Sequence, residues 1–155
     1  MPRCHPELIE VGIPGSDSLL ASILPCTFCH MKHHSPGFLK LAEAARSRVQ
    51  EIDVADAAER VRYGDVRLVD VREDHEWQAG HPAGATHLSR GILERDIEKL
   101  VPDCGAPLIL MCGGGYRSAL AADALRQMGY SNVLSLRGGW SAWVEARLPT
   151  EQQPG

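Results

Sequence analysis

The chain has 155 residues, a formal net charge of −4, 44% hydrophobic and 23% charged residues. Those proportions exclude a disordered chain, a collagen and a coiled coil, and the mild acidity argues against a nucleic-acid binder, which needs a basic face. No apolar run reaches the roughly 18 residues that span a membrane, so one compact domain is expected.

Residues 1–35 hold Pro2, Pro6, Pro14 and Pro25 and no sustained hydrophobic period, so they read as an extension with little structure of its own. They carry no signal-peptide pattern, which points to the cytoplasm. The main domain is expected over residues 36–149, with 150–155 a C-terminal tail. It opens after Ser35-Pro36-Gly37 with Phe38, Leu39, Leu41, Ala42, Ala45 and Val49 at helical spacing. Asp53 is placed to cap a helix holding Val54, Ala57, Ala58 and Val61. Residues 66–71 read as a buried strand, 73–78 as a helical turn stopped by Gly80, and 85–88 as a short strand. An amphipathic helix is expected over 92–100, stopped by Pro102. The run Leu108, Ile109, Leu110, Met111 has no alternation, as in a central strand covered on both faces. A helix over 117–128 ended by Gly129, a strand over 133–136 and a closing helix over 140–146 complete the order. Strands alternating with helices predict an α/β fold with a mostly parallel sheet.

The five cysteines, Cys4, Cys26, Cys29, Cys104 and Cys112, are an odd count in a chain with a normal core, which does not read as a disulfide scaffold. Cys112 stands out. The strand over 108–111 delivers it to Gly113, Gly114, Gly115, Tyr116, Arg117 and Ser118, where a helix opens. In open α/β sheets ligands bind beyond the carboxyl ends of strands. Glycines let such a loop curl with its N–H groups inward, and a nest at a helix N-terminus stabilises an anion. The anion here is the Cys112 sulfur, since the thiolate is the nucleophile, and Arg117 adds a fixed positive charge. A buried cysteine at a strand end can also be inert, but an inert strand end has no use for three glycines followed by a cation.

Further segments join this loop. They are Leu68-Val69-Asp70-Val71-Arg72-Glu73 with Glu76-Trp77 and Gly80-His81, then Gly84-Ala85 with His87-Leu88. Gly129-Tyr130 with Val133 follows, and then Leu136, Gly138-Gly139-Trp140 and Trp143. In this order and spacing the chain resembles a single-domain rhodanese, a sulfurtransferase, over roughly residues 36–149. The resemblance implies a rhodanese-like α/β fold, a central mostly parallel sheet flanked by helices on both faces. It implies a two-step reaction in which Cys112 takes sulfur from a donor as a persulfide and a thiophilic acceptor, cyanide or a thiol, removes it. The N–H groups of Gly113, Gly114, Gly115, Tyr116 and Arg117 would hold the persulfide, with Ser118 closing the loop. No metal or organic cofactor is implied. The partners implied are a small sulfur donor and acceptor, with a protein thiol as a further acceptor. Four residues separate Cys112 from Arg117; related phosphatases have five, giving the wider ring that a tetrahedral oxyanion needs, so the shorter loop favours sulfur transfer. The loop lacks the basic residues common in thiosulfate-using members, so thiosulfate is expected to be a poor donor. The alternative reading is a persulfide carrier or binding module that acts only with a protein partner.

The resemblance puts Asp70 near the edge of the pocket, and Arg90 can reach over it toward an anionic donor. Arg72 is expected to pair with Glu76 or Glu94. His81 and His87 read as structural, the three tryptophans as core or rim, and Cys104 as a bystander. In the extension, Cys26, Cys29, His30 or His33, with Cys4 or His5, have the ligand types of a zinc site but no second regularly spaced pair. Cys26-Thr-Phe-Cys29-His30 also matches the haem-attachment pattern, whose chemistry needs export. A thiol relay from this extension to Cys112 is a further option. Met31 is a candidate natural start, since the matching text begins just after it.

Overall fold

A computed structural model of the chain describes residues 33–152. In chain order the elements are α1 (Pro36–Arg46), β1 (Gln50–Ile52), α2 (Val54–Tyr63), β2 (Arg67–Asp70), α3 (Asp74–Ala79), β3 (His81–Pro82) and β4 (Thr86–His87). They continue with α4 (Leu93–Leu100), β5 (Leu108–Met111), α5 (Tyr116–Gln127), β6 (Val133–Leu136), α6 (Gly139–Glu145) and β7 (Thr150–Glu151).

Five strands form one sheet in the order β1-β6-β5-β2-β4, and every pairing in it is parallel. All four residues of β5 are buried, which is why its sequence shows no alternation: both faces of a central strand are covered. Val69, Leu108, Leu110 and Cys112 face a core completed by Leu93 and Ile97 of α4 and Leu125 of α5. Leu68, Ile109, Met111 and Leu136 face the other core, with Ala57 of α2 and Trp143 of α6. Outside α5 lies α1, with Ala42 and Ala45 buried. Arg48, just beyond α1, holds Asp123 of α5 through two hydrogen bonds of 2.9 and 2.6 Å.

The elements start and stop for local reasons. Ser35 Oγ accepts the Phe38 N–H at 3.4 Å, with proline in the first turn of α1. Gly64 ends α2 in the left-handed region, φ +74°. Glu73 and Glu76 form a reciprocal capping box on α3.

Three features differ from the sequence reading. β1 is an extra edge strand: Gln50 and Glu51 are polar and only Ile52 is buried, so no alternation marks it. Asp53 stands at the N-cap of α2 without a cap hydrogen bond, and its Oδ1 instead accepts from Arg137 Nη1 at 2.6 Å. Thr150–Glu151, counted with the tail, pair antiparallel with His81–Pro82.

The chain leaves β5 through α5 to β6 on one side, while β2 on the other side leads to β4. The carboxyl end of β5 is therefore a topological switch point, where open α/β sheets leave a crevice.

Candidate active site

Cys112 follows β5 at that switch point and is 1% exposed. Its Sγ accepts the Gly115 N–H at 3.1 Å and lies 3.6 Å from Ser118 Oγ. Ser118 Oγ in turn lies 2.9 Å from Ser135 Oγ on β6, and both serines are fully buried. Gly115 is the N-cap of α5 with φ +94°, a backbone that a side chain would strain. The sulfur thus sits at the positive end of a 12-residue helix, against an N–H and a hydroxyl, where negative charge is stabilised.

The loop curls inward because its carbonyls are held from outside. Trp140 N–H donates to Cys112 O at 2.7 Å, and Ser141 donates to Gly113 O through its N–H and its hydroxyl, each at 3.1 Å. This needs α6 to begin almost in contact with the loop. Gly138 and Gly139 both have positive φ, and a Cβ on Gly139 would stand 2.1 Å from Cys112 O. Of the five N–H groups expected to ring the sulfur, that of Gly115 bonds to it; those of Gly113, Gly114, Tyr116 and Arg117 form no bond to Sγ.

Arg117 points to Glu76 on α3 and donates to both carboxylate oxygens, at 2.7 and 2.9 Å. Those hydrogen bonds and the Glu76 charge hold the guanidinium above its ordinary range against the opposing effect of burial, with Cys112 and Glu73 contributing in the same sense. Tyr116 packs beside His34 and Phe38, with Arg46 4.7 Å over its ring.

The pairing expected for Arg72 is corrected. Arg72 binds Asp70, through Nη2 to Oδ2 at 2.6 Å and Nε to both oxygens at 3.0 Å, and reaches Gly80 O at 2.7 Å. Glu76 is taken by Arg117 and Glu94 by Arg90. Asp70 lies beside Met111 in register, one residue before Cys112, but it is fully buried with both oxygens on Arg72. Both of its carboxylate oxygens are thus engaged by Arg72. Arg90 is partly buried on its Glu94 partner, and its N–H donates to Val71 O at 3.0 Å.

His81 and His87 both stack on Trp77, with ring centroids 3.5 and 4.9 Å away, and each bonds a main-chain carbonyl, Trp77 O and Arg72 O. Both fix the turn around α3 that carries Glu76. Sequence reasoning missed Glu76 and Ser135 as neighbours of the loop. A polar serine inside the apolar strand 133–136 was the available signal for Ser135; Glu76 shows only a capping pattern.

A cavity of about 990 Å³ lies among Ala58, Val61, Leu68, Gly84, Trp143 and Leu148 and shares no residue with the Cys112 loop. Among the described residues no helix is long and apolar enough to cross a membrane, and no group of three His, Cys, Asp or Glu is placed to hold a metal ion. Cys4, His5, Cys26, Cys29 and His30 lie outside the described residues.

The chain is similar to a Rhodopseudomonas palustris CGA009 protein of unknown function described as a possible tyrosine phosphatase, at 30% identity and TM-score 0.70, over 77% of this chain and 98% of that one. It is similar to the polysulfide-sulfur transferase homodimer of Wolinella succinogenes, at 30% identity and TM-score 0.65, over 76% of this chain and 88% of that one. A rhodanese-related protein of Thermoplasma volcanium matches at 27% identity and TM-score 0.59, over 67% of this chain and 99% of that one. The likeness to the Wolinella succinogenes sulfur transferase supports sulfur transfer as the general chemistry, whereas the Rhodopseudomonas palustris protein is described as a possible phosphatase. The rhodanese-like domain family model matches residues 53–146, a span that takes in β5, the Cys112 loop and both glycines that seat it, and the chain belongs to the rhodanese-like domain family.

Proposed function

We propose that the protein is a sulfurtransferase that moves sulfane sulfur from a donor to a thiophilic acceptor through a persulfide on Cys112. The observation that carries this reading is the Cys112 sulfur at the end of β5, 3.1 Å from the Gly115 N–H at the start of α5. That arrangement stabilises a thiolate without a histidine base.

In the first step the Cys112 thiolate attacks the outer sulfur of the donor. The sulfur–sulfur bond of the donor breaks, and its electron pair leaves on sulfite if the donor is thiosulfate, or on a thiolate that takes up the proton if it is a hydropersulfide. Cys112 is left as a persulfide anion. The terminal sulfur then lies within the loop, where the unengaged N–H groups of Gly113, Gly114, Tyr116 and Arg117 are its natural donors. In the second step cyanide or a thiol attacks that sulfur, and the electron pair returns to Cys112. With cyanide the product is thiocyanate. Ser118 follows the charge, accepting from the thiol and donating to the thiolate, with Ser135 as its buried counterpart.

The four-residue spacing to Arg117 supports sulfur over a tetrahedral oxyanion. The free thiol suits a reducing compartment, and we place the protein in the cytoplasm. Initial rates with donor and cyanide both varied test the mechanism: parallel double-reciprocal lines are expected, and intersecting lines would contradict a covalent carrier.

A further inference from the structure

Among the described residues, the arginines that neighbour the Cys112 loop are each held by a carboxylate. Arg117 is on Glu76, Arg46 on Glu43 and Glu51, and Arg72 on Asp70. The loop itself adds no other cation, since Gly113, Gly114, Gly115 and Tyr116 carry none. The Glu76–Arg117 pair lies against the residue that follows the nucleophile. A Cβ on Gly113 would stand 3.3 Å from Arg117 Nη2 and 3.8 Å from Glu76 Oε1. The pair is partly open to solvent, with the Arg117 and Glu76 side chains 28% and 18% exposed.

We infer that Glu76 is a specificity-determining residue: by neutralising Arg117 beside the loop, it sets the preferred donor as an organic hydropersulfide and selects against a compact dianion such as thiosulfate. The inference rests on the sulfur-transfer reading above. Thiosulfate carries two negative charges within two bonds of the sulfur that Cys112 attacks. Bringing it to the loop strips water from both charges, and a guanidinium already forked onto a carboxylate returns little of that cost. Glu73, close enough to be felt at Arg117, adds a further negative charge. A hydropersulfide R–S–S–H asks less of the site. The thiolate takes the outer sulfur, the inner sulfur leaves with the bonding pair, and the proton goes with it to give R–S–H. No oxyanion has to be accommodated.

Glu76→Gln tests this while keeping the side chain's length and an amide oxygen for the Glu73 N–H, which now reaches Glu76 Oε2 at 3.2 Å. KM would be measured on the full chain for thiosulfate and for cysteamine persulfide, whose ammonium offsets its sulfur charge, with cyanide as acceptor. The ratio of the thiosulfate KM to the persulfide KM is expected to fall about tenfold in the variant. An unchanged or higher ratio would overturn the role of Glu76. Wild type supplies a second readout without any substitution. Raising the ionic strength should increase the thiosulfate kcat/KM relative to that of the persulfide, because screening weakens an unfavourable field. A relative decrease would overturn the inference by showing a net attractive site. Failure of both donors to place cyanide-removable sulfur on Cys112 would instead contradict the sulfur-transfer reading itself.

Discussion

Gly139 lies so close to Cys112 that a Cβ added to it would stand 2.1 Å from the Cys112 carbonyl oxygen. The contact explains why α6 starts where it does. Only a bare backbone lets the Trp140 N–H reach that carbonyl at 2.7 Å and turn it out of the loop. Gly139→Ala is therefore expected to destabilise the fold by about 2 kcal/mol or more, from overpacking and a strained left-handed backbone. It should also slow sulfur loading of Cys112. Gly64→Ala is the control: φ is +74° but nothing lies within 4 Å. It should cost about 1 kcal/mol and leave loading unchanged. Urea unfolding and loading rates measure both effects.

The buried hydroxyl pair beneath Cys112 makes a separate prediction. Ser118→Ala removes the hydroxyl 3.6 Å from the sulfur. Alkylation of Cys112 by iodoacetamide should slow severalfold in this variant. Ser135→Ala leaves Ser118 able to serve the sulfur but strips its buried partner at 2.9 Å. A smaller kinetic effect is expected, with a stability loss of about 1–3 kcal/mol.

Asp70 and Arg72 form a buried ion pair with the Arg72 guanidinium 4.6 Å over the Trp140 ring. Asp70→Asn keeps the shape and removes the counter-charge. The uncompensated Arg72 should cost about 3–5 kcal/mol. Thermal unfolding would show it as a large fall in Tm, and a loss under about 1 kcal/mol would contradict the burial.

Tyr130 supplies a pH signature. Its hydroxyl donates to Val101 O at 2.6 Å, and burial, with smaller effects of Cys104 and Glu98, pushes the phenol above its ordinary value of 10.0. The folded state thus holds the proton more tightly than the unfolded state. That contribution is fully present below about pH 10 and is lost as pH rises through the folded value. Tyr130→Phe should cost about 1 kcal/mol at neutral pH. Its stability should then fall less steeply than that of wild type in the alkaline range, as denaturant unfolding at several pH values would show.

What could be read from the sequence was what the chain writes locally. Cys112 to Ser118 are contiguous, so strand end, glycine turn, cation and helix start were legible together, as was the unbroken apolar run of β5. Long-range pairings were not. Glu76 and Arg117 are 41 residues apart, and the local pattern around Glu76 reads equally as a helix cap, a role it also fills. Arg72 was expected on Glu76 or Glu94. It takes Asp70, two residues away, because the end of β2 buries both and leaves no water to compete. β1 escaped notice because an edge strand buries one face only, and two of its three residues are polar.

The central claim is that Cys112 carries sulfur, and intact-protein mass spectrometry tests it directly. Wild type and Cys112→Ser would each be exposed to thiosulfate and, separately, to glutathione persulfide, then to cyanide. The account predicts a gain of one sulfur mass in wild type only, larger with the persulfide, and its removal by cyanide. Equal gain in Cys112→Ser, or no gain in wild type with either donor, would contradict it. In the second case a carrier or binding module that acts only with a protein partner becomes the better description.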